Sequence, residues 1–387
     1  MADLLDLPQE IVDDIVDNLQ DDRAILITLL PVSRSLRSRT QVYLFRVIKI
    51  KHILDLNAFT ALCCLSTEIP KLVKTLHLHL DFKFTSTAFE TLCRLVNVDT
   101  LYLNSSNAPI KRDVLDVLSP LSLTTLVLRH VALQGDPGIH DIFTMFPRIK
   151  RFSAYSVSVD SYAIDERHEG PHLDELCLYD SSTLLSVIPP SVFRGLRKLS
   201  IEGSISQDAT QRLMDVTRTT LRELCFVNLC LEQRGWGAYN GLDISNVQSL
   251  TLRVHIDGSP FYFCFTDLVW LDNALSKMQG DAFLTELHII FQTEDIHLLI
   301  VEGIKHPRMT GLWGIMSRIA AAPRMASLRE LRITLTAWKG PQEILLDETS
   351  YLEAWEEKLR LIFNDFSPTK AFDVHTQESQ SFWWEYF

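Results

Sequence analysis

The sequence predicts an α/β chain in which a short all-α module precedes a solenoid of repeated strands and helices. Three observations lead to this prediction. One pattern, apolar-x-x-apolar-x-apolar, recurs ten times at a nearly constant spacing. The segments between its copies carry apolar residues at helical spacing. The first 45 residues instead contain short helical segments. We therefore assign residues 1–45 to the helical module, 46–350 to the solenoid and 351–387 to a C-terminal capping helix and strand.

The N-terminal module begins with an amphipathic helix. Ile11, Ile15 and Leu19 are spaced four apart, and Pro8 suits the first turn of a helix. Val12 and Val16 widen this apolar stripe. Further helices are expected over residues 23–30, 32–39 and 40–45, the first of them capped by the Asp21-Asp22 pair. Helices this short are unstable alone, so their apolar faces must be buried mutually or against a partner.

The repeat pattern defines the strands. Its first positions are separated by 25, 25, 26, 24, 23, 25, 26, 37 and 44 residues. The ten copies are Val73/Leu76/Leu78, Val98/Leu101/Leu103, Leu123/Leu126/Leu128, Ile149/Phe152/Ala154, Leu173/Leu176/Leu178, Leu196/Leu199/Ile201, Leu221/Leu224/Phe226, Val247/Leu250/Leu252, Leu284/Leu287/Ile289 and Leu328/Leu331/Ile333. Weaker copies flank them at Phe45/Ile48/Ile50 and Thr369/Phe372/Val374.

This period falls within the range of leucine-rich repeats. The fourth and sixth positions of each copy point to one face of a strand, because side chains alternate along a strand. Parallel stacking of such strands buries these residues in one continuous core. We therefore expect a leucine-rich-repeat horseshoe, with parallel strands on its concave face and helices outside.

The segments between the strands predict the helices. Four groups have one apolar face: Phe89/Leu92/Leu95/Val96, Ile110/Val114/Leu115/Leu118, Ile139/Ile142/Phe143/Phe146 and Leu213/Met214/Val216. The two long late periods predict further helices over residues 267–278 and 312–321. An amphipathic helix over residues 351–363 is expected to begin the C-terminal cap.

Composition limits the class of protein. Apolar residues make up 47% of the chain and charged residues 22%, enough for a sizeable core. The net charge of −12 argues against nucleic acid as the main partner. No apolar run is long enough to span a membrane, and no signal peptide is visible. The seven cysteines contain no C-x-x-C pair, so we expect reduced thiols in a cytoplasmic or nuclear protein.

Charge is segregated near the N-terminus. Residues 1–22 contain eight acids and no base, whereas residues 23–51 contain seven bases and no acid. Two interpretations remain open: the charges are solvated helix faces, or they form two patches that orient a partner.

The module resembles an F-box, and especially the F-box that opens leucine-rich-repeat proteins of mushroom-forming fungi. The resemblance rests on about 45 residues: Leu7-Pro8-Gln9-Glu10-Ile11, Ile15, Leu19, Asp21-Asp22, Val32-Ser33-Arg34-Ser35-Leu36-Arg37 and Leu44-Phe45-Arg46. Ser33 and Leu36 occupy positions where the family usually has Cys and Trp.

This resemblance implies a function. An F-box docks on a Skp-type adaptor, which connects it to a cullin–RING ubiquitin ligase, and the repeat domain holds a protein substrate. Carried over by position, the residues expected to face the adaptor are Leu7, Pro8, Ile11, Ile15, Leu19, Val32 and Leu36. Burial within the module is the competing interpretation for these residues.

The substrate surface is expected on the strand face that points away from the core. Tyrosine and arginine are common anchors in protein interfaces. The candidate substrate-binding residues are Tyr102, Arg129, Arg151, Tyr155 and Tyr179.

Other chemistry finds little support in the sequence. His77 and His79 form at most half a metal site, and no cofactor motif or Cys–His nucleophile is indicated. We therefore expect a non-catalytic substrate receptor without cofactor or metal. The alternatives are a leucine-rich-repeat binding module whose F-box no longer recruits the ligase, and an enzyme with a site in the late insertions.

Overall fold

The computed structural model describes residues 7–106, 109–133, 138–159, 170–181, 183–205, 207–231, 243–256, 266–278, 283–293, 307–323, 325, 328–337, 348–363 and 371–378. The chain divides into two compact units. Unit 1 comprises Met1–Leu173 and Val187–Val192, and unit 2 comprises Asp174–Ser186 and Phe193–Phe387. The N-terminal helices therefore belong to the same unit as the first repeats.

Unit 1 begins with three helices: α1 (Gln9–Asn18), α2 (Arg23–Leu29) and α3 (Arg34–Arg46). Asp22 caps α2, because its carboxylate accepts a hydrogen bond from the Ile25 amide at 3.0 Å. Ser33 caps α3 through the Leu36 amide at 3.1 Å. The prediction of separate helices over 32–39 and 40–45 was wrong, because neither proline nor glycine interrupts that stretch and α3 continues through it.

Most strands of unit 1 follow the repeat pattern, and two further strands of two residues each lie outside it. The strands are β1 (Val47–Ile50), β2 (Thr75–His79), β3 (Thr100–Asn104), β4 (Thr125–Arg129), β5 (Ala132–Leu133), β6 (Arg151–Tyr155) and β7 (Ser158–Val159). The pairs β1–β2, β2–β3, β3–β4 and β4–β6 are all parallel, and β5 pairs separately with β7. The weaker copy at Ile48 and Ile50 is therefore a true first strand.

Strand register confirms the predicted core positions of unit 1. Leu76 pairs with Leu101, Leu101 with Leu126, and Leu126 with Phe152. All four side chains are fully buried. Each contributes about 2 kcal/mol to stability relative to an exposed side chain.

Helices fill the segments between these strands: α4 (Ile53–Leu65), α5 (Ile69–Leu72), α6 (Ser86–Cys93), α7 (Arg112–Leu118) and α8 (Ile139–Met145). The predicted apolar faces of α7 and α8 are buried. Val96 is an exception, since α6 ends at Cys93 and the Val96 side chain is 62% exposed.

A backbone ladder joins the loops that enter the strands of unit 1. The Lys74 amide donates to the Arg46 carbonyl at 2.9 Å, and the Asp99 amide donates to the Lys74 carbonyl at 3.0 Å. The Thr124 amide then donates to Asp99, and the Lys150 amide to Thr124, both at 2.8 Å. The residues just before each strand are thus stacked at the strand spacing of about 4.8 Å.

Unit 2 continues the pattern with a first strand of five residues and later strands of eight or nine: β8 (Glu175–Tyr179), β9 (Lys198–Ile205), β10 (Glu223–Leu231), β11 (Ser249–Ile256), β12 (Glu286–Thr293), β13 (Glu330–Ala337) and β14 (Ala371–Glu378). Consecutive strands from β8 to β14 pair in parallel. The weak last copy holds its register, since Leu331 pairs with Phe372 and Ile333 with Val374.

The last three helices of unit 2 correspond to the late segments predicted at 267–278, 312–321 and 351–363, although the second of them begins earlier, at Pro307. The helices of this unit are α9 (Leu184–Val187), which reaches the boundary between the units, α10 (Gln207–Val216), α11 (Thr266–Lys277), α12 (Pro307–Ala321) and α13 (Glu348–Ile362). A short 3-10 helix, Pro190–Phe193, lies mostly within the Val187–Val192 segment of unit 1. In α11 the inward residues Leu268, Leu271 and Leu275 are fully buried, as predicted. Val216, at the end of α10, is exposed instead. Of the expected cap, residues 364–370 and 379–387 lie outside the described part of the chain.

Candidate functional site

The N-terminal module has a core of its own. Val12, Val16, Leu26, Leu36 and Leu44 are buried together, with further apolar side chains packed around them. Val12 and Val16 lie one turn apart on α1 and turn toward α2 and α3. This core determines which side of α1 remains at the surface.

An exposed apolar strip lies beside this buried face of α1, because adjacent residues of a helix are about 100° apart. Ile11 is 45% exposed, whereas the adjacent Val12 is only 4% exposed. Leu7 and Ile15 lie four residues to either side of Ile11 and are also exposed. We call Leu7, Ile11 and Ile15 the N-terminal apolar stripe. Ile11 and Ile15 lie one turn apart on α1, and Leu7 extends the stripe just before the helix begins. Exposed apolar side chains grouped in this way are a feature of partner-binding surfaces.

The other residues expected to face an adaptor occupy different environments. Pro8 is exposed, and its carbonyl accepts the Ile11 amide at 3.0 Å as α1 begins. Val32 is 59% exposed in the turn before α3. Leu19 is half-buried against the module core. Leu36 is 1% exposed and belongs to that core, so its side chain does not reach the surface.

An ion pair joins α1 to α3. The Arg39 Nε lies 2.7 Å from Asp17 Oδ1, and its terminal nitrogen lies 2.6 Å from Asp17 Oδ2. Hydrogen bonding from Arg39 lowers the pKa of the Asp17 carboxyl. This two-point contact holds α1 in the orientation that exposes the N-terminal apolar stripe.

Four side chains on the exposed strand face of unit 1 form a continuous row. The His77 and Tyr102 rings stack with centroids 4.0 Å apart and planes 4° from parallel. The Arg129 guanidinium carbon lies 5.6 Å from the Tyr102 ring centroid and 4.9 Å from that of Tyr155. We call His77, Tyr102, Arg129 and Tyr155 the strand-face row. The structure thus brings together three of the five predicted substrate-binding residues.

The strand-face row carries positive charge. Arg129 is 8% exposed, and this burial lowers the pKa of its guanidinium. Burial lowers the pKa of His77 to about 4, with smaller contributions from Lys49, Arg129 and Lys51. His77 is therefore neutral at neutral pH, and Arg129 supplies the positive charge of the row.

Arg151 belongs to a different place in unit 1. It begins β6 and Tyr155 ends that strand, about 13 Å apart at the usual rise of about 3.3 Å per residue. Arg151 lines an open groove of about 610 Å³ together with Arg46 of α3, Lys74, Asp99 and other residues. We call this cavity the basic groove.

Tyr179 lies in unit 2, where it ends β8 and pairs with Glu202 of β9. Burial raises the pKa of Glu202 to about 7, with a further increase from Asp180 and an opposing effect of Arg253. The neighbouring Cys225 has its thiol pKa raised, chiefly by burial. A thiol with a raised pKa is a poor nucleophile at neutral pH.

The two histidines considered for a metal site contact protein groups. The Nε2 of His79 lies 2.9 Å from the Asn104 side-chain nitrogen, and its Nδ1 lies 3.3 Å from Asp81. Within the described ranges, no group of three or more His, Cys, Asp or Glu side chains could hold a metal ion. In that same part of the chain, every helix is too short or too polar to cross a bilayer.

The sequence did not reveal the basic groove. Its cations come from α3, from α5 and the turn after it, and from β6, and these three places are separated along the chain. The block of seven bases in residues 23–51 was a partial signal, since it includes Arg39 and Arg46.

Compared with models of protein families and with curated proteins, the chain matches none of them.

Proposed function

We propose that this protein is the substrate-recognition subunit of a Skp–cullin–F-box ubiquitin ligase. Its N-terminal module docks on a Skp-type adaptor, and its repeats bind a protein target. The observation that carries this proposal is the N-terminal apolar stripe, on a folded three-helix module that runs directly into a parallel repeat sheet.

The stripe has the properties of a docking surface. Ile11 and Ile15 lie one helical turn apart and Leu7 immediately precedes the helix N-cap, so a single partner groove can cover all three. Burying each side chain at an interface is worth about 1.5–3 kcal/mol before the costs of association. Val32 adds a further exposed apolar side chain to the module. In this proposal Leu7, Pro8, Ile11, Ile15 and Val32 contact the adaptor.

Leu36 and Leu19 support the surface from beneath. Leu36 stands where the family usually has a tryptophan, and here it fills the core among Val12, Val16, Leu26 and Leu44. The proposal therefore assigns Leu36 to the stability of the module. The Trp-to-Leu difference then leaves the N-terminal apolar stripe unchanged.

The proposal places the protein target on the exposed strand faces of a leucine-rich-repeat horseshoe. In-register parallel pairing within each unit supports the leucine-rich-repeat assignment. The strand-face row supports target binding, since rigid tyrosines and a buried arginine are common interface anchors. The receptor itself is non-catalytic and acts in the cytoplasm or nucleus.

A second function differs only in the fate of the bound protein. The chain would be a repeat binding module that recruits no ligase, and the replacement of the family's tryptophan by Leu36 favours it. Adaptor binding separates the two functions. Only a ligase receptor co-purifies with a Skp-type adaptor and, through it, with a cullin.

The test is co-purification of the tagged full chain with a Skp-type adaptor. We expect the wild type to retain the adaptor and the Leu7→Asp/Ile11→Asp double variant to lose it. A matched control, Leu54→Asp/Leu65→Asp, changes two exposed leucines of α4 outside the module and should retain the adaptor. Adaptor binding that survives the first double variant would refute the docking surface, and no adaptor binding by the wild type would favour the second function.

A further inference from the structure

The basic groove lies at the edge of the unit 1 sheet where the strands begin. It is lined by Thr75, Thr100 and Arg151, the first residues of β2, β3 and β6. The C-terminal half of α3 forms the adjoining wall. Its volume of about 610 Å³ lies within the usual range for sites of small ligands, about 300–1,000 Å³.

Positive charge dominates the groove. Five cations line it, with one acid among them: Arg39, Arg46, Lys71, Lys74, Arg151 and Asp99. Arg39 is paired with Asp17, and Lys71 with Glu68 at 2.7 Å. Among the described residues, Arg46, Lys74 and Arg151 form no ion pair. Three uncompensated like charges in one concave site favour an anion that relieves their repulsion.

Backbone hydrogen bonds and strand pairing fix the positions from which the side chains of Arg46, Lys74 and Arg151 extend. The Lys74 amide donates to the Arg46 carbonyl, which holds the two residues one strand spacing apart. Strand pairing links Thr75 to Thr100, Thr100 to Thr125 and Thr125 to Arg151. The backbone of Arg151 therefore lies about 14 Å across the sheet from that of Thr75, because the two strands are three strand spacings of about 4.8 Å apart. Long side chains at the two ends can converge on a ligand carrying more than one anionic group.

Threonine hydroxyls also line the site. The Thr100 hydroxyl donates to the Asp99 carboxylate at 2.8 Å and the Thr124 hydroxyl donates to the Asp99 carbonyl at 3.3 Å, so neither has a proton left to donate to a ligand. Thr75 contributes a further hydroxyl to the lining. Guanidinium groups match the oxygen geometry of phosphate through paired N–H donors, and lysine adds a compact charge.

We infer that the basic groove binds a small ligand carrying two or more phosphate groups. A long polyanion such as nucleic acid is disfavoured, since the whole chain has a net charge of −12 and repels it outside the groove. This inference is independent of the proposed ligase function, because none of the three uncompensated cations belongs to the N-terminal apolar stripe or to the strand-face row.

The experiment uses the purified full chain and inorganic tripolyphosphate as the probe, with binding measured by isothermal titration calorimetry. Citrate is the comparison anion, with carboxylates in place of phosphates. The test variant is Arg46→Gln/Lys74→Gln/Arg151→Gln. The matched control is Lys83→Gln/Lys111→Gln/Arg148→Gln, which removes three exposed charges of unit 1 that do not line the groove.

We expect the wild type and the control to bind tripolyphosphate equally, and the test variant to bind at least about tenfold more weakly, a loss of about 1.4 kcal/mol. Citrate should also bind at least about tenfold more weakly than tripolyphosphate to the wild type. Circular dichroism and an unchanged melting temperature check that the test variant is folded, and the single variant Lys74→Glu should also weaken tripolyphosphate binding. Absence of binding by the wild type, or equal binding by the test variant and the control, would overturn the inference.

A vesicle arm distinguishes the source of the phosphates. Phosphatidylcholine vesicles with and without phosphatidylinositol bisphosphate are sedimented with the wild type and the test variant. Co-sedimentation that needs both the bisphosphate lipid and the groove cations supports a lipid headgroup as the ligand. Tripolyphosphate binding without co-sedimentation supports a soluble phosphate compound. Sedimentation of the test variant with the bisphosphate vesicles to the same extent as a sedimenting wild type would contradict phosphate binding in the basic groove.

Discussion

Arg39 of α3 donates two hydrogen bonds, of 2.7 and 2.6 Å, to the carboxylate of Asp17 of α1, which lies 22 residues earlier in the sequence. The pair orients the exposed face of α1, and the same arginine also lines the basic groove. Both side chains are about one-third exposed, so salt screens their attraction.

We expect Asp17→Asn to lower the thermal stability of the N-terminal module slightly at low salt and to have almost no effect at high salt. The Asp14→Asn variant is the control, since Asp14 is an exposed acid of the same helix that forms no ion pair within the described part of the chain. Melting curves of the three proteins at both salt concentrations provide the measurement. An Asp17→Asn loss that persists at high salt would show that the contact acts by packing instead.

The strand-face row gives a prediction about the target. Replacing Tyr102 and Tyr155 by Ala removes the two rings that flank Arg129 and should weaken target capture at least about tenfold, the effect of losing about 1.4 kcal/mol. Tyr102→Phe/Tyr155→Phe is the matched control, because it keeps both ring faces over the guanidinium. Quantitative mass spectrometry of proteins captured by each variant provides the measurement. Unchanged capture by the double alanine variant would remove the row from the target surface.

His77 gives a prediction about acid stability. The folded chain lowers its pKa from 6.5 to about 4, chiefly by burial. Between these two pH values the unfolded chain binds a proton at His77 and the folded chain does not. The free energy of unfolding therefore falls as the pH falls from 6.5 toward 4.

His77→Gln should remove the fall in the free energy of unfolding between pH 6.5 and 4 that His77 causes. His172→Gln, at an exposed position of unit 1, should leave that fall unchanged. Chemical denaturation of the three proteins across the same window provides the measurement. Identical slopes for the wild type and His77→Gln would contradict the lowered pKa.

Glu202, in unit 2, gives a pH dependence of stability that is opposite in sign to that of His77. Its pKa rises from 4.5 to about 7 on folding, chiefly by burial, so the folded chain holds a proton that the unfolded chain has lost between these values. The free energy of unfolding falls as the pH rises through this window. Glu202→Gln should stabilise the protein above pH 7 by about 1–2 kcal/mol, allowing for partial exposure, and leave it unchanged below pH 4.5.

The control for this effect is Glu357→Gln, which changes an exposed carboxyl of α13. Urea unfolding curves above and below the window test the prediction. Equal stabilisation by Glu202→Gln at both ends of the window would mean that charge burial is not its cause.

The strands were predictable because the pattern that specifies them is local. Leu76 and Leu78 alternate on one strand, and the same alternation recurs at a period that stacks parallel strands in register. Even the weak outer copies, at Ile48 and Phe372, hold this register. Each repeat needs only its neighbours to bury its core.

The surfaces were less predictable because they depend on contacts distant in sequence. Isoleucine and valine are equally apolar, so helical period alone could not tell whether Ile11 or Val12 faces the core, and α2 and α3 decide it. Arg151 occupies a strand position like that of Thr100. Its place in the basic groove follows from the neighbouring α3, whose position the repeat pattern does not specify.

The central claim is that the N-terminal apolar stripe binds a Skp-type adaptor while the residues behind it hold the module together. Ile11→Asp/Ile15→Asp tests the stripe, and Leu36→Ala tests the core. The core variant should lower the free energy of unfolding by about 3 kcal/mol, because it leaves a cavity among buried side chains.

The most direct measurement is the dissociation constant of the purified chain with a purified Skp-type adaptor, determined by calorimetry for the wild type and both variants below their melting temperatures. The account predicts that Ile11→Asp/Ile15→Asp weakens binding by about 100-fold or more, from losses of about 1.5 kcal/mol at each position, while the melting temperature stays unchanged. It also predicts that folded Leu36→Ala binds like the wild type. Unchanged binding by Ile11→Asp/Ile15→Asp would contradict the account.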